Sequence, residues 1–161
     1  MDSRASGLIT ALSLSPHPEG GYYREIWRSD AVVAPADGRG VRAALTTIYF
    51  LLPAGAVSRW HRVRSDEVWQ HVEGAPLELV TVPPTHDRVH RVILGSLEAQ
   101  SVPVHVVPAE WWQGARSQGA YTLAACTVGP GFDFSDFELL TDDSARADAF
   151  LRALPEGSEF V

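Results

Sequence analysis

A single cysteine, Cys126, stands in 161 residues. One thiol makes an internal disulfide impossible, which fits a reducing compartment. Cys126 lies in the apolar run YTLAACTV and reads as a small buried hydrophobe, not a nucleophile. Positive charge is also scarce: 13 Lys plus Arg against 20 Asp plus Glu leave a formal net charge of −7. Nucleic acids and anionic membranes attract a positive field, so neither is an expected partner. No run approaches the ~20 apolar residues that span a bilayer. The opening MDSRASGLITALSLSP lacks the basic start and long apolar stretch of a secretory leader, so a cytoplasmic location is the expectation. Internal repeats and low-complexity segments are missing too. What is present is an ordinary globular composition, 45% hydrophobic and 20% charged, in a length that suits one domain over residues 1–161.

Local patterns divide the chain into helix, β region and helix. SGLITALSL predicts a short N-terminal helix with Leu8, Ile9 and Leu12 on one face and Ser6 as its cap. SPHPEGG ends it, because prolines and glycines at that density cannot continue a helix. From about residue 20 to about residue 140 the signal is β, with about nine strands between short turns, as in a sandwich or barrel. YYREIWR alternates at period two. AALTTIYFLL is apolar throughout, as for a strand buried on both faces, and such a strand calls for cover on each side. VSRWHRV and DEVWQHV follow, joined by a tight link at Arg64–Ser65. Pro103 marks an edge or a bulge. His86, His90 and His105 read as solvated surface. FDFSDFE reads as a half-buried strand end. The tail returns to helix over about 142–154. Thr141, Asp142 or Asp143 caps it, Phe150, Leu151 and Leu154 form its stripe, and Pro155 and Gly157 stop it.

The chemistry concentrates in GAVSRWHRVRSDEVWQHVEG, Gly55 to Gly74. Side chains alternate along a strand, so Arg59, His61 and Val63 share one face while Ser58, Trp60 and Arg62 take the other. On the following strand Glu67, Trp69 and His71 share a face. If His61 and Glu67 point inward, Trp69 and His71 do so as well. Burying two imidazoles and a carboxylate is costly unless they pair with each other, a ligand or water.

The spacing of Gly55, His61, Val63, Glu67 and Gly74 resembles the first signature motif of the cupin superfamily, in which two histidines one residue apart and a glutamate project into a small jelly-roll barrel and bind a metal. Val63 stands where the second histidine would be. VPAEWWQGA resembles the second motif: Pro108 matches its proline, Glu110 stands where glycine is usual, and Gln113 stands where the last histidine ligand is usual. The blocks HPEGGYYREIWRS, TTIYFLLPAG, WHRVRSDEVWQHVEG, VPAEWWQGAR and CTVGPGFDFSDFEL together resemble one cupin subfamily, domain of unknown function 985, over roughly residues 7–145. The resemblance implies an all-β fold, a jelly-roll barrel between a short N-terminal and a C-terminal helix. It also implies a homodimer, a ligand cavity, and similarity to sugar-nucleotide epimerases.

Three functional readings follow. Metal chemistry would use His61, Glu67 and Gln113 with zinc, nickel, iron or manganese; Val63 cannot ligate and an amide is a weak donor, so no tightly held metal is expected. Metal-free acid/base chemistry would use His61 as base and Glu67 as its orienting group or partner acid, in an isomerase, epimerase or lyase acting on a carbonyl or sugar-like substrate. A small-molecule binder without turnover is the third. Tyr49, Arg59, Trp69, His71 and Gln113 are candidate ligand contacts in each case. Parity separates Trp111 from Trp112, so one of them faces away from the cavity. His17 and Glu19 are candidates for the barrel rim or for a turn-capping role.

Overall fold

The computed structural model describes residues 1–98 and 100–161. In chain order its elements are α1 (Ser3–Ala11), β1 (Ser15–Pro16), β2 (Tyr22–Arg28), β3 (Val32–Val33), β4 (Arg42–Ala43), β5 (Thr46–Pro53), β6 (Val57–Val63), β7 (Asp66–Gly74), β8 (Leu77–Val82), β9 (His90–Leu94), β10 (Val104–Val107), β11 (Trp112–Ser117), β12 (Tyr121–Gly129), β13 (Phe137–Leu139) and α2 (Ser144–Ala153). Two antiparallel sheets, ordered β1-β2-β5-β12-β7-β10 and β13-β6-β11-β8-β9, face each other as a jelly-roll barrel, and β3 with β4 forms a small ribbon beside it. The Arg64–Ser65 link carries the chain from β6 in one sheet to β7 in the other. His61 and Glu67 therefore face each other across the barrel and are not neighbours on one surface.

Each outer sheet face has its own helical cover. Ala5 and Leu8 of α1 pack on Leu51 and Leu123, with Tyr49 against the same cluster. The outer face of β5 is thus covered by α1, and the cover that the apolar AALTTIYFLL run called for comes from within the chain. On the opposite side, Phe150 and Leu154 of the α2 segment pack with Phe160 on Trp60, Val80 and Trp112. The Trp60 indole N–H donates to Gly157 O at 2.6 Å, which satisfies the one polar atom of that buried ring. β8 is buried along its whole length. Burying each such Leu, Val or Phe stabilises the fold by about 1.5–3 kcal/mol.

Local details correct several expectations. Asp2, not Ser6, caps α1: its Oδ1 accepts from the Arg4 and Ala5 N–H groups at 2.9 and 3.0 Å, so the helix starts earlier. Asp143 is the cap of α2, accepting from Arg146 N–H at 3.0 Å. Pro103 immediately precedes β10, which is an edge strand. His86, His90 and His105 are half-buried at the surface and not fully solvated; His86 lies edge-on to Phe150 and His90 beside Trp111. FDFSDFE forms a 3-10 turn, Phe134–Asp136, before β13. Asp136 is buried there, held by Arg42 at 2.8 Å and Arg39 at 3.3 Å. No helix among the described residues is long and apolar enough to cross a membrane.

Candidate functional site

The barrel is filled at one end and hollow at the other. Leu52, Leu77, Leu79, Leu94 and Val107 pack the filled end. The hollow end is a cavity of about 480 Å³, large enough for a small organic ligand. Phe50, Trp69 and Cys126 belong to both, forming the boundary between core and cavity. Strand alternation explains the walls: Thr46, Ile48 and Phe50 of β5 face in, as do His61 and Val63 of β6 and Glu67 and Trp69 of β7.

The floor carries four ionisable groups, two of them from a segment that the sequence placed at the rim. The turn between β1 and β2 bends inward and delivers His17 and Glu19 to the interior, where both side chains are buried. Gly20 makes this approach possible: its φ is +116° and a Cβ there would lie 2.2 Å from Val57 O. Arg59 holds the same turn. Its backbone N–H donates to Glu19 O at 2.8 Å, and its guanidinium donates to Pro18 O. Arg59 thus clamps the turn from outside and does not line the cavity. The parity that placed Arg59 inside fails because β6 carries a bulge: Ser58 to His61 on β6 spans three residues against two on β11. Ser58 is turned inward instead and donates to Glu19 Oε1 at 2.8 Å.

Glu19 Oε2 lies 3.2 Å from His61 Nε2 and 3.3 Å from His17 Nδ1. His61 Nδ1 is 2.8 Å from Arg59 O. A carbonyl only accepts, so Nδ1 carries the hydrogen and the Nε2 lone pair faces Glu19. That contact requires a shared proton, on the carboxyl or on the imidazole. Burial decides the direction: it pushes the Glu19 carboxyl up and pushes both imidazoles down, with Glu19 partly restoring the proton affinity of His17. The uncharged pair, a carboxylic acid donating to a neutral imidazole, is the favoured form.

Glu67 completes the floor. Burial raises its proton affinity, the neighbouring His61 opposes that rise, and Glu19 adds to it. Glu67 Oε2 accepts from Gln113 Nε2 at 2.5 Å, and Gln113 Oε1 accepts from Trp69 Nε1 at 3.0 Å. The indole N–H can only donate, so it fixes the orientation of the amide, and the amide fixes Glu67. Gln113 is fully buried behind Glu67, not on the cavity surface. The Cys126 thiol lies against Glu67 and burial holds it well above its ordinary range.

His61, Glu67 and Trp69 are therefore brought together as the sequence placed them. Tyr49 is not: it points out of the barrel beneath α1. His71 shares the face of Trp69 but lies beyond the cavity, half-buried, with Nε2 3.2 Å from Ala75 O. Trp112 faces the α2 layer, Trp111 packs by the filled end, and neither lines the cavity. Val63 occupies the cavity wall with a side chain that offers no lone pair. Gln113 spends its oxygen on Trp69. Among the described residues, no group of three or more His, Cys, Asp or Glu side chains is placed to hold a metal ion. The donor set does not fit the metal site that the motif implies. Sequence reasoning undervalued His17 and Glu19; the signal available was the acidic residue immediately before the two glycines of HPEGG.

The model of the family described as Cupin superfamily (DUF985) matches residues 6–140. A hypothetical protein from Leishmania major is 33% identical, superposes with a TM-score of 0.84, and the match covers 97% of this chain and 96% of the other. A protein from Shewanella oneidensis is 34% identical, with a TM-score of 0.81 and coverage of 94% and 90%. Oxalate decarboxylase from Bacillus subtilis is 16% identical over 91% of this chain and 36% of its own, with a TM-score of 0.60, a likeness of fold alone. None of the curated proteins matches the sequence.

Proposed function

The chain belongs to the cupin superfamily, in the family described as Cupin_5 (DUF985), and from that premise we propose that its barrel holds a small carbonyl or sugar-like molecule on which His61 and Glu67 perform isomerase-, epimerase- or lyase-type proton transfer. One observation carries this reading. Two carboxyls and two imidazoles lie buried at the floor of a solvent-open cavity whose walls are largely aromatic and aliphatic. Structural economy alone would replace such a set with hydrophobic residues, because desolvating it costs several kcal/mol.

The proposed chemistry needs no group beyond the chain. On substrate entry the Glu19 O–H turns away from His61 Nε2, and the freed lone pair takes the proton from the carbon next to the substrate carbonyl. A protonated Glu67 gives its own proton to the carbonyl oxygen, leaving an enediol. Return of a proton from His61 to the neighbouring carbon, or to the other face of the same carbon, completes isomerisation or epimerisation, and Glu67 recovers its proton from the enediol hydroxyl. Glu19 shares the proton at Nε2 and so sets how readily His61 accepts one. The aromatic walls favour a second reading, a binder without turnover.

Incubating candidate keto-sugars in deuterated water separates the two. Wild type is expected to exchange the proton adjacent to the carbonyl at a rate that His61→Ala reduces by at least about 100-fold, the lower range for a general base. Equal exchange by both proteins sinks the catalytic reading; ligand-induced thermal stabilisation without exchange supports the binder. A homodimer, implied by the family resemblance, is part of the same proposal. Exposed apolar side chains at Ile26, Trp27, Val32 and Val41 are concentrated near β2 and the β3–β4 ribbon, and velocity sedimentation at micromolar concentration reads the mass directly.

A further inference from the structure

The mouth of the cavity offers little to an anion. Arg28 is the only arginine lining it among the described residues. Its Nε and Nη2 donate to the two carboxylate oxygens of Glu25 at 2.9 and 2.7 Å, and Nη2 also donates to Phe132 O at 3.2 Å. Asp133 lines the same mouth, and its charge also acts on Arg28. Within the lining one cation is thus matched by two carboxylates, Arg42 outside it being held by Asp136, and the floor beneath adds no cation, since burial favours the neutral forms of Glu19 and Glu67. The imidazoles do not restore the balance, since burial keeps both neutral at ordinary pH.

The remaining surface of the mouth is aromatic. Phe132, Phe134 and Phe137 pack edge to face with centroids 5.0 to 6.0 Å apart, and Phe134 lies parallel to the His17 ring at 6.1 Å. Phe134 remains 52% exposed at this rim. An aromatic collar of this kind binds the apolar C–H face of a sugar ring or the face of a carbocycle, and it gains nothing from a phosphate or a carboxylate.

We propose that the cavity selects an uncharged ring-bearing or sugar-like molecule and discriminates against phosphorylated and carboxylated counterparts, through the Glu25–Arg28 pair and the phenylalanine collar at its mouth. This rests on the reading of the cavity as the ligand site. It departs from a sugar-nucleotide substrate, whose diphosphate would meet at the entrance an Arg28 already held by Glu25 and the carboxylate of Asp133.

Matched probes test it. Thermal shift and intrinsic tryptophan fluorescence are measured with D-fructose against D-fructose 6-phosphate, and with cyclohexanone against 4-oxocyclohexanecarboxylate. The neutral member of each pair is expected to bind at least about tenfold more tightly. Glu25→Gln frees the charge of Arg28 and is expected to narrow the gap to about threefold or less, while Arg28→Gln widens it. Equal or tighter binding of the anionic members, an unchanged gap in Glu25→Gln, or failure of both neutral probes to bind overturns the proposal. Because the readout is binding, a protein that prefers neutral probes but exchanges no proton has lost the catalytic reading and kept this one.

Discussion

At Glu19 one carboxyl oxygen sits between two imidazole nitrogens, and the protonation of the whole floor turns on it. Glu19→Gln keeps the size of the side chain and an oxygen for Ser58, but removes the proton that the acid shares with His61 Nε2. Deuterium exchange is expected to fall by at least about tenfold, with thermal stability little changed. The pH dependence has a definite sign. Burial depresses the proton affinity of His61 below the ordinary value of 6.5, so the base remains neutral and competent as pH falls through 6.5. The acidic limb of kcat/KM is therefore expected below pH 6.5. A limb at or above that value would show that the base is a solvated imidazole and not His61.

Among the elements, the turn between β10 and β11 holds a residue in a backbone conformation that side chains disfavour. The φ of Glu110 is +67°, in the region that favours glycine. Its N–H donates to Val63 O at 2.8 Å, so the turn is pinned to the end of β6. The Glu110 carboxylate reaches Arg62 at 3.5 Å and Arg64 at 3.7 Å, contacts that are exposed and contribute little. Glu110→Gly is expected to stabilise the protein by about 0.5–1 kcal/mol in urea titration, because relief of the left-handed backbone exceeds the lost surface ion pairs. Destabilisation would show that the ion pairs outweigh the backbone. The β6 bulge acts in the opposite sense, on function: one extra residue exchanges Arg59 for Ser58 inside the barrel, placing the hydroxyl beside Glu19 and leaving the guanidinium to clamp the turn.

The whole molecule is a barrel between two helical layers, and the layers separate stability from chemistry. Phe150 is fully buried under sheet β13-β6-β11-β8-β9, on the face away from the cavity. Phe150→Ala is expected to cost about 3–5 kcal/mol while leaving ligand affinity of the folded protein unchanged; a parallel loss of affinity at low temperature would show that the layers are coupled. The pH dependence of stability is also a property of the whole floor. Above the ordinary carboxyl value of 4.5 the unfolded chain releases the protons of Glu19 and Glu67 while the folded one retains them, so stability falls as pH rises toward their elevated folded values. The imidazoles of His17 and His61 act oppositely: their contribution is full above 6.5 and is lost as pH falls toward their depressed folded values. Between these limits the slopes oppose each other. Glu67→Gln removes one carboxyl slope, so its melting temperature relative to wild type is expected to rise steadily with pH above 4.5. A constant difference would place Glu67 in solvent.

Local sequence was enough to read the β blocks, the two flanking helices, the family and the inward aim of His61, Glu67 and Trp69. These follow from local rules: period-two alternation, turn residues, and the spacing of a motif within one stretch. The clustering of Glu19 with His61, the exchange of Ser58 for Arg59, and the outward aim of Tyr49 were decided only by tertiary structure. So was the place of His71 beyond the cavity. The physical reason is common to them. A bulge is set by the register of the partner strand, and the face a strand buries depends on which layer covers it. A turn enters a barrel only when another element leaves room for its backbone. Gln113 shows the same division: its position in the motif was readable, but its role was fixed by the two side chains, Trp69 and Glu67, that meet it from the opposite sheet.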